Sequence, residues 1–184
     1  MDQPDQPERP LRADAARNRA RVLEAALEAF AAEGLSVPID EIARRAGVGA
    51  GTVYRHFPAK EDLVGAVIAD QMQRIIDGGY ALLDEGKPGE ALFTFLRAAV
   101  EWSATNRGLV DTLGDSEIKV KEEGKFLDLL GELLRVAQEA GTVRKDVGVA
   151  DVKALMVGLQ AMQSYNDDAA ERLTEVVLDG LRVP

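Results

Sequence analysis

Residues 39–63 read Ile39-Asp40-Glu41-Ile42-Ala43-Arg44-Arg45-Ala46-Gly47-Val48-Gly49-Ala50-Gly51-Thr52-Val53-Tyr54-Arg55-His56-Phe57-Pro58-Ala59-Lys60-Glu61-Asp62-Leu63. Pro38 suits the first turn of a helix, which then runs over Ile39–Ala46. Gly47-Val48-Gly49 breaks it, because glycine reaches backbone angles closed to other residues. A second short helix follows from about Ala50 to Phe57, and Pro58 stops it. Two short helices around a glycine turn form a helix-turn-helix. Each residue class has a physical job in that layout. Ile42 and Ala43 face the core, and Val48 and Val53 fill the gap between helices. Gly49, Ala50 and Gly51 carry almost no side chain, so the start of the second helix can approach the floor of a DNA groove. Thr52, Tyr54, Arg55 and His56 can then reach bases and phosphates. Lys60 stands at the start of the next helix, where amides and the helix dipole favour phosphate.

Charge supports the same use. The net charge is −10, which by itself disfavours nucleic acid. Its distribution is uneven: residues 61–184 hold 13 Lys/Arg and 23 Asp/Glu, whereas residues 1–60 hold nine of each. Ile42 to Lys60 contains Arg44, Arg45, Arg55 and Lys60 and no acid. Residues 9–21 add Arg9, Arg12, Arg17, Arg19 and Arg21 against Asp14. Distant acids are screened over about 8–10 Å at moderate salt, so these local basic patches remain effective toward phosphate.

Working outward, Val22, Leu23, Ala26, Leu27 and Phe30 recur at helical spacing and Gly34 is a C-cap. Residues 1–13 are Pro-rich and polar and read as a flexible tail, with the first helix starting at Asp14. Beyond Pro58 a long helix carries Leu63, Val67, Ile68, Met72, Ile75 and Ile76 on one face, and Gly78-Gly79 should bend or end it. Further helices follow from Pro88, over about Ile118–Ala140, Ala150–Tyr165 and Asp168–Leu181, with residues 107–117 irregular. Asp167-Asp168 reads as a helix start. No strand alternation appears. The expected fold is all-α, with about nine helices. A flexible tail (1–13) precedes a three-helix helix-turn-helix DNA-binding domain (14–60) and a helical ligand-binding and dimerisation domain (61–184).

Other chemistries find little support. The chain has no cysteine and one histidine, His56, so disulfides, thiolate sites and a metal site are not expected. No cofactor is expected. Gly47, Gly49 and Gly51 do not form a nucleotide-binding loop, because Thr52 stands where a glycine is required and no strand precedes them. His56 lacks a nucleophile or partner motif, which argues against an enzyme. No apolar run approaches a membrane span of about 20 residues, and Met1–Pro7 lacks the features of a signal peptide. The expectation is a cytoplasmic protein. An acidic helical ligand carrier or adaptor without DNA binding is the alternative, and the acid-free run over 42–60 opposes it.

The stretch 39–63, together with Arg19–Phe30, resembles the DNA-binding motif of the tetracycline-repressor (TetR) family. The resemblance covers about residues 15–65. It implies a homodimeric repressor, released from a palindromic double-stranded DNA operator by a small ligand. It implies that Thr52, Tyr54, His56 and Lys60 contact DNA, mainly the backbone, with Ala50, Gly51 and Arg55 at or near the bases. Arg19 and Arg44 are added from the basic patches. Pro38 departs from the family pattern: many members carry a capping Thr there that can touch phosphate, so that contact is expected to be missing. The apolar residues Val152, Leu155, Met156, Leu159 and Met162, with Leu173, Val176, Val177 and Leu181, exceed what one small core needs. In the family the corresponding helices form a four-helix dimer interface. Phe95, Trp102, Phe126 and Tyr165 are candidates to line an effector cavity. Few polar residues share those faces, which predicts a hydrophobic or amphipathic effector. The long helix from Lys60 is the expected link between that cavity and the DNA-binding end.

Overall fold

The computed structural model describes residues 8–106, 108–109, 117–166 and 169–183. Among these there are eight helices, close to the expected nine, and no strand beyond one isolated antiparallel bridge, Val143 with Arg182. The chain forms two units, the first running to Asp70 and the second starting at Gln71.

The first unit contains α1 (Glu8–Glu33), α2 (Ile39–Ala46), α3 (Ala50–His56) and the start of α4 (Lys60–Asp84). Val22, Leu23, Ala26, Ala29 and Phe30 form the buried stripe of α1. They meet Ile42, Ala43 and Ala46 of α2 and Val53 of α3, all buried. Helix α1 begins at Glu8, earlier than the expected Asp14, so residues 8–13 are helical and not tail. Arginine and alanine, both strong helix formers, let a helix extend upstream of its apolar stripe. Gly34 ends α1 at φ 77°, its amide donating to the Phe30 carbonyl at 3.0 Å.

The second unit holds the rest of α4, α5 (Pro88–Thr105), α6 (Glu117–Glu139), α7 (Val149–Tyr165) and α8 (Ala170–Leu181). Its core is aliphatic, built on Leu92 and Leu96 of α5, Leu129, Leu130 and Leu133 of α6, and Val152 and Met156 of α7, with Leu178 of α8. Most of 107–117, expected to be irregular, lies outside the described residues, as does the expected helix start at Asp167-Asp168. The glycine pair at 78–79 does not end α4, which runs through to Asp84. The reason is packing. A Cβ on Gly79 would lie 2.4 Å from Leu129 Cδ2 and 2.9 Å from Phe95 Cε2, whereas one on Gly78 would meet nothing within 4 Å. Gly79 is a close-approach point of α4 on its neighbours.

Residues 181–183 lie alongside the turn after α6. The Arg144 amide donates to the Leu181 carbonyl at 3.0 Å and the Val183 amide to the Thr142 carbonyl at 3.1 Å. The Arg182 guanidinium stacks 3.9 Å from the centre of the Phe93 ring and hydrogen-bonds the Glu90 carboxylate at 3.3 and 3.5 Å. The Thr142 hydroxyl donates to the Gly89 carbonyl at 2.9 Å, holding the same turn to the start of α5. No described helix is long and apolar enough to cross a membrane.

Candidate nucleic-acid interface

The turn between α2 and α3 depends on one backbone conformation. Gly47 sits at φ 65°, ψ 35°, the left-handed region that costs glycine least. Its amide donates to the Arg44 carbonyl at 3.2 Å and the Val48 amide to that of Ala43 at 3.0 Å, which satisfies the end of α2. Gly49 is the N-cap of α3, and its carbonyl accepts the Thr52 amide at 2.8 Å. Val53 and Phe57 anchor α3 into the core, fully or almost fully buried. Phe57 is covered from outside by the Arg19 guanidinium, 5.7 Å from its ring centre. Ala59 donates its amide to the Asp62 carboxylate at 2.9 Å, which caps the start of α4.

What remains exposed is the expected surface. Gly51 is exposed and open above its Cα, and Ala50 and Thr52 are half-buried beside it. Tyr54 is 46% exposed despite its large ring. Arg55 and His56 are exposed and Lys60 is half-buried. Arg55 and Lys60 have no acidic partner among the described residues. The structure thus brings Ala50, Gly51, Thr52, Tyr54, Arg55, His56 and Lys60 onto one short helix and the start of the next. Arg19 is tied to the same element through Phe57. Arg21, counted in the basic patch but not among the expected DNA contacts, places its guanidinium 3.7 Å from where a Cβ on Gly47 would be.

Arg44 stands differently. Its guanidinium grips Glu41 by two hydrogen bonds, 2.8 and 2.7 Å. Arg45 binds the same carboxylate at 2.8 Å and Glu33 at 2.5 Å. The two arginines hold the Glu41 carboxyl at about 2, chiefly through the Arg44 hydrogen bond and then that of Arg45. Glu33, Glu41, Arg44 and Arg45 therefore form a locally neutral cluster. The acid-free run starting at Ile42 excluded Glu41 by one residue, and Glu33 reaches in from α1.

In the second unit, the residues expected to line an effector cavity separate. Phe95 and Phe126 pack ring on ring, 5.6 Å between centres, against the apolar core. Trp102 is half-buried on α5, and Tyr165 is 93% exposed. The residues expected at a dimer interface also divide. Val152, Met156, Leu159 and Leu181 are buried within their own chain. Leu155 is 37% and Val176 62% exposed, and Met162, Leu173 and Val177 are half-buried. Val157, 56% exposed and on the other side of α7 from Leu155, was not foreseen.

Known proteins share both units. A family model for bacterial regulatory proteins of the tetR family matches residues 22–67. A second model, the C-terminal domain of SbtR-like transcriptional regulators, matches residues 87–183. A TetR transcription regulatory protein from Mycobacterium vanbaalenii is 56% identical, over 95% of this chain and 100% of that one, with a TM-score of 0.80. The TetR transcriptional regulator SCO0520 from Streptomyces coelicolor is 34% identical over 89% of this chain and 98% of that one, TM-score 0.76. The HTH-type transcriptional regulator SrpR of Pseudomonas putida is 47% identical over 60 residues, 32% of this chain and 28% of that relative. The chain thus spans under half the length of the curated Pseudomonas putida regulators it matches.

Proposed function

Because this chain belongs to the TetR family of transcriptional regulators, we propose that it is a homodimeric repressor that reads a palindromic operator through α3 and leaves it when a small amphipathic effector binds the second unit. The observation that carries the reading is the exposed surface of α3. A helix of seven residues spends its buried contacts on Val53 and leaves Tyr54, Arg55 and His56 outside. A folding role does not account for a half-exposed tyrosine beside two exposed cationic or titratable side chains. With Gly49 and Gly51 bare at the start of the helix, backbone can lie close to base edges while Arg55 reaches them.

Two copies are needed because one α3 covers few base pairs. A two-fold pair reads half-sites about 34–36 Å apart or at multiples of that distance. Leu155 and Val176 are the exposed apolar groups that support a second copy on α7 and α8. Operator binding is expected to fall steeply with salt, because each neutralised phosphate contributes about 0.9 to the log–log slope. Fluorescence anisotropy on a duplex selected from a random library measures this. An affinity indifferent to salt ends the proposal. On a panel of operator variants, Arg55→Ala is expected to cost about 1–3 kcal/mol and to relax preference at one base pair.

Glu41 gives an independent check on the electrostatics. Glu41→Gln releases the Arg44 guanidinium beside the turn and leaves Arg45 paired with Glu33 alone, and non-specific DNA affinity is expected to rise with a salt slope steeper by about one. An unchanged slope would show that Arg44 lies beyond reach of phosphate.

A further inference from the structure

A cleft of about 480 Å³ opens in the second unit between α5, α7 and α8. That volume is in the range of small-molecule sites. Its polar lining includes Arg97, Glu101, Gln163, Glu171 and Glu175. Val100 and Ala104 supply apolar wall. On α5 these residues lie roughly 140° around the helix from Phe95 and Trp102, at about 100° per residue. On α8, Glu175 is likewise about 100° from the exposed Val176. The cleft is therefore separate from the aromatic core of α5 and from the apolar face of α8.

Two independent features define what the cleft takes. The first is charge. Three glutamates face one cation, and that cation is committed. Arg97 gives its Nε and Nη2 to Glu175, at 2.5 and 2.7 Å, so its charge is already balanced within the cleft. Glu101 and Glu171 have no ion pair among the described residues. The second is Gln163. Its side chain is only 7% exposed, yet its Oε1 is buried without a hydrogen-bond donor among the described residues. Buried side-chain acceptors are nearly always satisfied, and none of the described residues satisfies this one. A donor is the only group that oxygen can use.

We propose that this cleft binds an organic cation carrying N–H donors, such as an amidinium or a primary ammonium on a small apolar body. The donor goes to Gln163 Oε1, the positive charge to Glu101 and Glu171, and the apolar body to Val100 and Ala104. As the effector site, the cleft rests on the repressor reading above and gives that effector a chemical class.

The test uses the full chain without DNA, titrated calorimetrically with three probes of one size. Benzamidinium has charge and donors, phenyltrimethylammonium has charge alone, and benzoate is an anion. Benzamidinium is expected to bind saturably, phenyltrimethylammonium about tenfold more weakly, and benzoate not at all. Gln163→Leu is expected to lose about tenfold for benzamidinium and little for phenyltrimethylammonium, with an unchanged or higher Tm. If that variant fails to fold, the exposed pair Glu101→Gln with Glu171→Gln decides, and it should weaken both cations. No saturable binding of benzamidinium at millimolar concentration overturns the site. Equal binding of benzoate, or indifference to all of these substitutions, does so too. Operator affinity is then measured with and without benzamidinium, in the wild type and in the Glu101→Gln, Glu171→Gln variant. A cation that binds the cleft and leaves operator affinity unchanged overturns the effector role. Failure of cation binding alongside intact, salt-dependent operator binding overturns the cleft alone and leaves the DNA reading standing.

Discussion

Leu155→Glu combined with Val176→Glu is expected to yield a folded monomer whose operator affinity is about a thousandfold lower, close to non-specific binding. Both side chains already face solvent, 37% and 62% exposed. Charge at such positions costs the fold within about 0.5 kcal/mol. In a two-fold interface each substitution appears twice, so four carboxylates meet across the contact and must be desolvated together. The monomer then contacts one half-site with one α3. Sedimentation at micromolar concentration reads the mass, thermal melting reads the fold, and anisotropy reads operator affinity. A dimer that survives both glutamates would move the interface off α7 and α8. Leu159, which the apolar periodicity also nominated, is the wrong handle. At 2% exposure, Leu159→Glu buries a charge in its own protomer and unfolds it, which would imitate dimer loss.

The adjacent glycines of α4 are expected to respond oppositely to alanine. Gly78→Ala should raise stability by about 1 kcal/mol, because a helix interior favours alanine over glycine by that amount and open space lies above the position. Gly79→Ala gains the same propensity but places a methyl 2.4 Å from Leu129 Cδ2 and 2.9 Å from Phe95 Cε2. Leu129 is fully buried and Phe95 almost so, so neither can swing away. Overpacking of that kind costs about 1–3 kcal/mol, and Gly79→Val, with two more carbons and a stiff χ1, more again. Chemical denaturation of the two alanine variants side by side tests the pair. If Gly79→Ala proves as stabilising as Gly78→Ala, the helices around Gly79 are looser than the distances say.

The helix-turn-helix was legible in residues 39–63 because everything that specifies it is local. Apolar spacing, the glycine in the left-handed region and the proline stop all act within a few residues. The same locality misled at Gly78-Gly79, where a weak intrinsic tendency to break a helix was weighed without the neighbours that require a missing Cβ. Arg44 looked like a free cation because charge was counted over a window whose edge lay one residue past Glu41. The apolar face of α7 was real, but periodicity cannot say which half of a broad stripe serves the protomer and which a partner. Val152, Met156 and Leu159 turned inward, and Leu155 outward. The cleft left no local trace at all. Arg97 and Glu175 are 78 positions apart, and Gln163 stands among residues that read as an ordinary helix.

The contacts of Arg182 set an order of events during synthesis. Glu90 is 92 residues upstream, and Phe93, beneath the guanidinium, is nearly as far. Closing contacts of that span is entropically slow and cannot begin until both ends exist. The first unit, whose contacts lie within residues up to Asp70, is free to fold while translation continues. The second must keep Phe93 and the start of α5 unclosed until residues 181–183 have emerged from the ribosome. During that interval its aliphatic core lies open to chaperones and to other nascent chains, so loss of Arg182 should lower soluble yield more than it lowers the melting temperature of the protein that does fold.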